Sequence, residues 1–167
     1  MKNRVYASGT GIELTGTGIR SIQSVIEEMI TGAREEIIIA TYTMSGNIQD
    51  LFDFLEKSAS RGVRITIILN RICEQPREIR RLLAEFTKKY IQVRVYDFHE
   101  EYRDLHMKVV VADRQRALVG SANLTWKGMV DNLEMGVVIE GEVAEKIANV
   151  LRTLISCPGF RIFSGEC

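Results

Sequence analysis

The stretch from His106 to Asn123 reads H-M-K-V-V-V-A-D-R-Q-R-A-L-V-G-S-A-N. His106 and Lys108 are two positions apart, so in an extended chain both side chains leave the same face. The run V-V-V-A between Lys108 and Asp113 has the apolar, β-branched character of a buried strand, and it would pin the two polar residues to a rigid edge. Asp113-Arg114-Gln115-Arg116 is read as a turn. Ala117-Leu118-Val119 then starts a return strand that ends in Gly120-Ser121-Ala122-Asn123. Such a hairpin carries Ser121 and Asn123 back beside His106 and Lys108. An imidazole, a fixed cation and two small hydrogen-bonding groups converge, which makes an anion site containing a nucleophile or base.

Outside this hairpin the apolar spacing alternates between two periods. Residues 19–33 keep helical spacing through Ile19, Ile22, Val25, Ile26, Met29 and Ile30. Glu36–Thr43 reads as a strand apolar on both faces. Asn47 suits the cap of a second helix that Gly62 ends, and Val63–Leu69 is the next strand. Pro76 suits the first turn of a third helix running to about Tyr90, followed by a strand over Ile91–Tyr96. After the hairpin come a strand over Leu133–Ile139 and a helix from Glu142 to Ile155. Strands alternating with helices predict an α/β fold: a mixed, largely parallel β-sheet flanked by helices on both faces. One domain over residues 1–167 is expected, with a short strand around Val5 in an otherwise irregular 1–18 and an irregular tail over 156–167.

Basic and acidic residues balance at 22 each, so any attraction for nucleic acid has to come from local clustering rather than net charge. Cys73, Cys157 and Cys167 are odd in number and form no C-x-x-C pair, so neither a zinc site nor a disulfide framework is expected, and a cytoplasmic setting is the simplest. No apolar run approaches membrane-spanning length and the amino terminus lacks a charged-then-apolar pattern, so no membrane anchor and no secretory signal are expected.

The pattern H-x-K-x4-D-x6-G-S-x-N, formed by His106, Lys108, Asp113, Gly120, Ser121 and Asn123, resembles the motif of the phospholipase D superfamily. Asn132-Leu133-Glu134 is similar to the acidic element that orients the histidine in small members, and the alternation of elements is similar to a single-motif member of endonuclease type. The resemblance implies an α-β-α sandwich and phosphodiester cleavage through a phosphohistidine, with no metal and no cofactor. His106, Lys108, Asp113, Ser121, Asn123 and Glu134 are the catalytic candidates. Lys108 would supply charge, Ser121 and Asn123 would donate to non-bridging oxygens, and Glu134 would accept from the imidazole and fix its tautomer. Asp113 is better suited to ordering the turn.

A second imidazole is needed to protonate the leaving oxygen and later activate water. The chain has two histidines, and only His106 lies in the motif. A homodimer sharing one site is therefore expected. Gly120, Arg103, Arg114, Arg116, Trp126, Lys127 and Tyr42 are the substrate-binding candidates. Trp126 and Lys127 suit a base and a phosphate, although Trp126 equally suits a dimer interface. His99 reads as a solvated loop residue, and the basic residues near the third helix as a solvated face. The expected partner is a nucleic-acid substrate, DNA ahead of RNA, and no membrane. A phospholipid hydrolase or phosphatidyl transferase, and a non-catalytic nucleic-acid-binding module, are the alternatives.

Overall fold

A computed structural model describes residues 3–14, 16–46 and 48–167. In chain order its elements are β1 (Arg4–Thr10), β2 (Arg20–Ser21), α1 (Ile22–Gly32), β3 (Glu36–Thr41), β4 (Met44–Ser45), α2 (Gln49–Ser60), β5 (Arg64–Asn70) and α3 (Arg77–Lys89). They continue with β6 (Val93–Phe98), β7 (Lys108–Ala112), β8 (Arg116–Gly120), β9 (Leu124–Thr125), β10 (Glu134–Glu140), α4 (Glu142–Leu154) and β11 (Phe160–Ile162). Nine strands form one sheet in the order β11-β6-β5-β3-β7-β8-β10-β1-β2, and β4 pairs separately with β9.

Strand β3 shows why the sheet has helices on both sides. All six of its residues are buried, because successive side chains point to opposite faces and both faces are covered. Ile37 and Ile39 join the core under α1, α2 and α3. Ile38 and Ala40 join a second core with Ala144, Ala148 and Leu151 of α4. The buried Glu36 is matched by the Arg152 guanidinium of α4, at 2.6 and 2.5 Å from its two oxygens. An unpaired carboxylate there would carry a heavy desolvation cost.

The mixed sheet with helices on both faces is as expected, but its parallel share is smaller. Among the described residues, parallel pairing within the nine-stranded sheet is confined to β3-β5, β5-β6 and the two-residue β1-β2 contact, and the separate β4-β9 pair is parallel too. The motif hairpin runs antiparallel to β3 and continues antiparallel through β10 and β1. Several boundaries also move. The first helix begins at Ile22, because Arg20–Ser21 pairs with β1 and the Ser21 hydroxyl caps the helix by accepting from the Ser24 amide at 3.1 Å. The proposed Asn47 cap lies outside the described residues. The amino-terminal segment holds the seven-residue strand β1. The tail is anchored too: β11 pairs with β6, and the Phe163 amide donates to the Val95 carbonyl at 2.9 Å.

The cysteine reading is corrected as well. Cys73 and Cys167 form a disulfide with a Cα–Cα distance of 5.4 Å. Their 94-residue separation hides the pairing in the sequence, since only the return of the tail along β6 brings the two together.

Candidate active site

The site forms where the carboxyl ends of β3, β5 and β8 meet the amino ends of β7 and β10, along one edge of the sheet. Register makes the meeting unavoidable. Lys108 lies opposite Thr41 of β3, Val109 opposite Val119 of β8, and Gly120 opposite Gly136 of β10. Ser121, one step beyond the β8–β10 pairing, and Glu134, the first residue of β10 and the partner of Thr10 of β1, therefore lie at the same end of the sheet as Lys108.

His106 is exposed on the extended segment that leads into β7, and Lys108 is half-buried. The Lys108 ammonium lies 2.9 Å from His106 Nδ1 and 3.2 Å from Nε2, and donates to the His106 carbonyl at 2.8 Å. The two side chains share one face, as the two-residue spacing predicts. Burial pushes the Lys108 ammonium below the usual lysine range, while the Glu134 carboxylate works in the opposite direction. The Tyr42 ring closes one side, its centroid 5.0 Å from that of His106 and 5.8 Å from Lys108 Nζ. Strand β3 stops at Thr41, whose hydroxyl donates to the Thr43 carbonyl at 3.2 Å. This turn sends Tyr42 towards the imidazole.

Ser121 and Glu134 reach the same edge as a bonded pair. The Ser121 hydroxyl donates to Glu134 Oε2 and accepts from the Met135 amide at 3.2 Å. Asn132 Nδ2 donates to Glu134 Oε1 at 3.3 Å. Within one chain Glu134 thus serves Ser121 and Asn132, where the sequence suggested the imidazole. Among the described residues Asn123 Oδ1 is buried without a partner, an acceptor that still needs a donor. Gly120 has a packing role, because a Cβ there would lie 2.7 Å from the Met135 carbonyl oxygen and 2.9 Å from Gly136 Cα.

Three of the expected residues are elsewhere. Asp113, Arg114 and Arg116 stand at the turn end of the hairpin, roughly 17 Å from Lys108 for five residues at 3.4 Å each. Asp113 Oδ1 accepts from the amides of Arg34, Glu35 and Glu36 at 3.1, 2.8 and 3.0 Å. Arg114 pairs with Glu35 and Glu36, and Arg116 with Glu28 and Glu140. Arg103 does lie in the loop before the motif, but its Nε and Nη2 both donate to the Glu100 carboxylate at 2.6 Å. Trp126 is 46% exposed and Lys127 is exposed beside it, with Trp126 packed over Gly46.

Sequence reasoning missed the shell behind His106. Asn70 is buried at the end of β5, its Oδ1 accepting from the Leu105 amide at 2.8 Å and its Nδ2 donating to Asp104 at 3.2 Å. Arg71 reaches the same Asp104 oxygen at 3.1 Å. The Asn70 amide and then the Arg71 guanidinium hold the Asp104 carboxyl below the usual carboxylate range. A usable signal was present: a polar residue ends the apolar run I-T-I-I-L at the carboxyl edge of a sheet, where ligands gather.

A family pattern described as "Cardiolipin synthase, PLD-like domain" matches residues 26–155. The DISARM protein DrmC of Bacillus paralicheniformis is 34% identical over 137 residues, which are 82% of this chain and 57% of that protein. Cardiolipin synthase B of Escherichia coli K12 is 37% identical over 116 residues, 67% of this chain and 27% of that protein. The chain thus spans little more than half of the first relative and about a quarter of the second. Among solved structures, the phospholipase D family member Nuc from Salmonella typhimurium superposes with a TM-score of 0.75 at 18% identity, covering 97% of this chain and 99% of that one.

Proposed function

Since the chain belongs to the phospholipase D superfamily, whose enzymes act on phosphodiester bonds, we propose that it is a metal-independent nuclease working as a homodimer. The observation that carries this reading is the convergence of His106, Lys108, Ser121 and Glu134 on one sheet edge. His106 of one copy attacks phosphorus, the bond to the leaving oxygen breaks, and a phosphohistidine forms. His106 of the second copy gives its proton to that oxygen, then takes one from the water that hydrolyses the phosphohistidine. Lys108 neutralises the phosphate, and the Asn123 amide helps hold it. Glu134 holds Ser121 and, on this reading, also accepts from an imidazole brought by the second copy.

Two features support a second copy. His99, the other histidine, sits on an exposed loop with its amide bonded to the Gly159 carbonyl, so these 167 residues offer one motif imidazole. On the sheet face turned away from Glu134, apolar side chains stand open, with Leu133 64%, Met135 50%, Val137 41% and Val5 64% exposed; Val5 of β1 and Val137 of β10 share that face through their register. Nucleic acid is favoured as substrate by Trp126 and Lys127, an exposed ring and an exposed ammonium directly after the motif.

The test is cleavage of labelled single- and double-stranded DNA and RNA in excess EDTA, with His106→Ala alongside. The wild type cuts in EDTA, and the variant falls by more than about a thousandfold. Cutting that EDTA abolishes, or that His106→Ala leaves intact, overturns the mechanism. The identity to cardiolipin synthase B favours a second reading, phosphatidyl transfer or phospholipid hydrolysis. Among the described residues no helix is long and apolar enough to cross a membrane. Turnover of anionic phospholipid vesicles by the same preparations, with the polymers untouched, selects that reading.

A further inference from the structure

The segment Asn70–Gln75 lies behind the candidate site, and its hydrogen bonds run to both sides of His106. On one side, the two ends of the Asn70 amide engage consecutive residues just ahead of the histidine: Oδ1 accepts from the Leu105 amide at 2.8 Å and Nδ2 donates to Asp104 at 3.2 Å. On the other side, the Asn70 carbonyl accepts from Gln75 Nε2 at 2.7 Å. The same Gln75 nitrogen donates to the Tyr42 carbonyl at 3.2 Å, and Gln75 Oε1 accepts from the Thr43 hydroxyl at 2.9 Å and the Met44 amide at 3.2 Å. Arg71 is held at φ +44°, a conformation an arginine adopts only at a cost. From there its guanidinium reaches Asp104 at 3.1 Å and the Glu100 carbonyl at 2.6 Å.

A buried asparagine at a strand end usually just satisfies a loop. Asn70 differs in what its bonds connect. Asn70 and Gln75 are 2% and 9% exposed, and together they join the backbone that presents His106 to the backbone that presents Tyr42. The geometry points to Asn70 as a positioning residue: with Asp104 it fixes the approach of His106 to the phosphate, and through Gln75 it sets the Tyr42 ring against the imidazole. This inference rests on the reading of His106 as the nucleophile. Near-attack geometry is lost with small displacements, so the effect falls on the chemical step rather than on substrate affinity.

The pair can be swapped. Asn70→Asp keeps the acceptor for the Leu105 amide but sets a carboxylate against Asp104. Adding Asp104→Asn restores one donor facing one acceptor. We expect Asn70→Asp to lower kcat by about tenfold to a hundredfold with KM changed by less than about threefold, and the double variant to recover most of the loss. The His106 imidazole resonance, identified by its absence in His106→Gln, should shift and broaden in Asn70→Asp and return in the double variant. Circular dichroism checks the fold. If Asn70→Asp does not fold, Asn70→Ala, which lacks both the donor to Asp104 and the acceptor for the Leu105 amide, is read the same way. An unchanged kcat with an unmoved resonance, or a double variant as impaired as the single one, overturns the inference while leaving a His106-dependent nuclease intact. If wild type cleaves no polymer, the functional reading has failed, and the resonance alone decides whether Asn70 positions His106.

Discussion

Asp113 occupies a motif position, yet it stands at the opposite end of the hairpin from His106. Its carboxylate gathers the amides of Arg34, Glu35 and Glu36, and so fastens the β7–β8 turn to the start of β3. A carboxylate bonded to several backbone amides is worth more than a neutral turn contact. We therefore expect Asp113→Ala to lose about 2–3 kcal/mol of stability, measured by urea unfolding. The kcat per folded molecule, taken where the variant is folded, should stay near wild type. A large fall in that kcat would place Asp113 in the chemistry after all. At this scale the sequence was legible wherever strand period decided the answer. His106 and Lys108 share a face, and the return strand brings Ser121 to them, because side chains alternate and hairpins close. It misled where nearness in the chain was taken for nearness in space. Arg114 and Arg116 are close to the motif in number, but five strand residues carry them to the far edge, where Glu35, Glu36, Glu28 and Glu140 meet them.

Elements in this fold are tied by charges as well as by the apolar core. Glu28 on α1 receives Arg116 of β8 at 2.7 Å and Arg20 of β2 at 2.5 Å. Bonding to Arg116, and next to Arg20, holds the Glu28 carboxyl below its usual value of 4.5. The sign follows from linkage: a depressed carboxyl binds its proton less readily when folded, so it contributes stability above the unfolded value and loses it as pH falls through the folded one. Thermal unfolding of wild type and Glu28→Gln should show a Tm gap at pH 6 that closes below pH 4.5 as Glu28 protonates. A gap that stays constant across that range would mean the loss comes from packing. Glu28 is about half exposed, so solvent screening keeps the gap modest. The elements themselves were largely legible, since long amphipathic or doubly buried stretches identify themselves. The short pieces were not. The two-residue strands β2, β4 and β9 have too little sequence to show a period, and β11 exists because the tail returns to β6. That return also brings Cys167 to Cys73, a pairing that no local pattern encodes.

For the molecule as a whole, the decisive quantity is the number of imidazoles at one phosphate. A single chain provides His106 at the sheet edge, and the open face of Val5, Leu133, Met135 and Val137 lies on the side of β10 turned away from Glu134. On the proposed reading, a second copy that brings its own His106 to this edge supplies the missing imidazole, and apolar surface is available for it to cover. On this shared-site reading the enzyme should be vulnerable to its own inactive form. When His106→Ala chains are mixed with a fixed amount of wild type and subunits exchange, each mixed dimer has one imidazole where two are needed. With random pairing, an equal amount of variant should lower the cleavage rate to about half, and a ninefold excess to about a tenth. Light scattering on the same samples checks that dimers are present throughout. A site complete within one chain would ignore the added variant, and the rate would remain at its starting value however much was mixed in. The same dilution separates a shared site from simple pairing of independent ones, because independent sites in a mixed dimer keep their full rate.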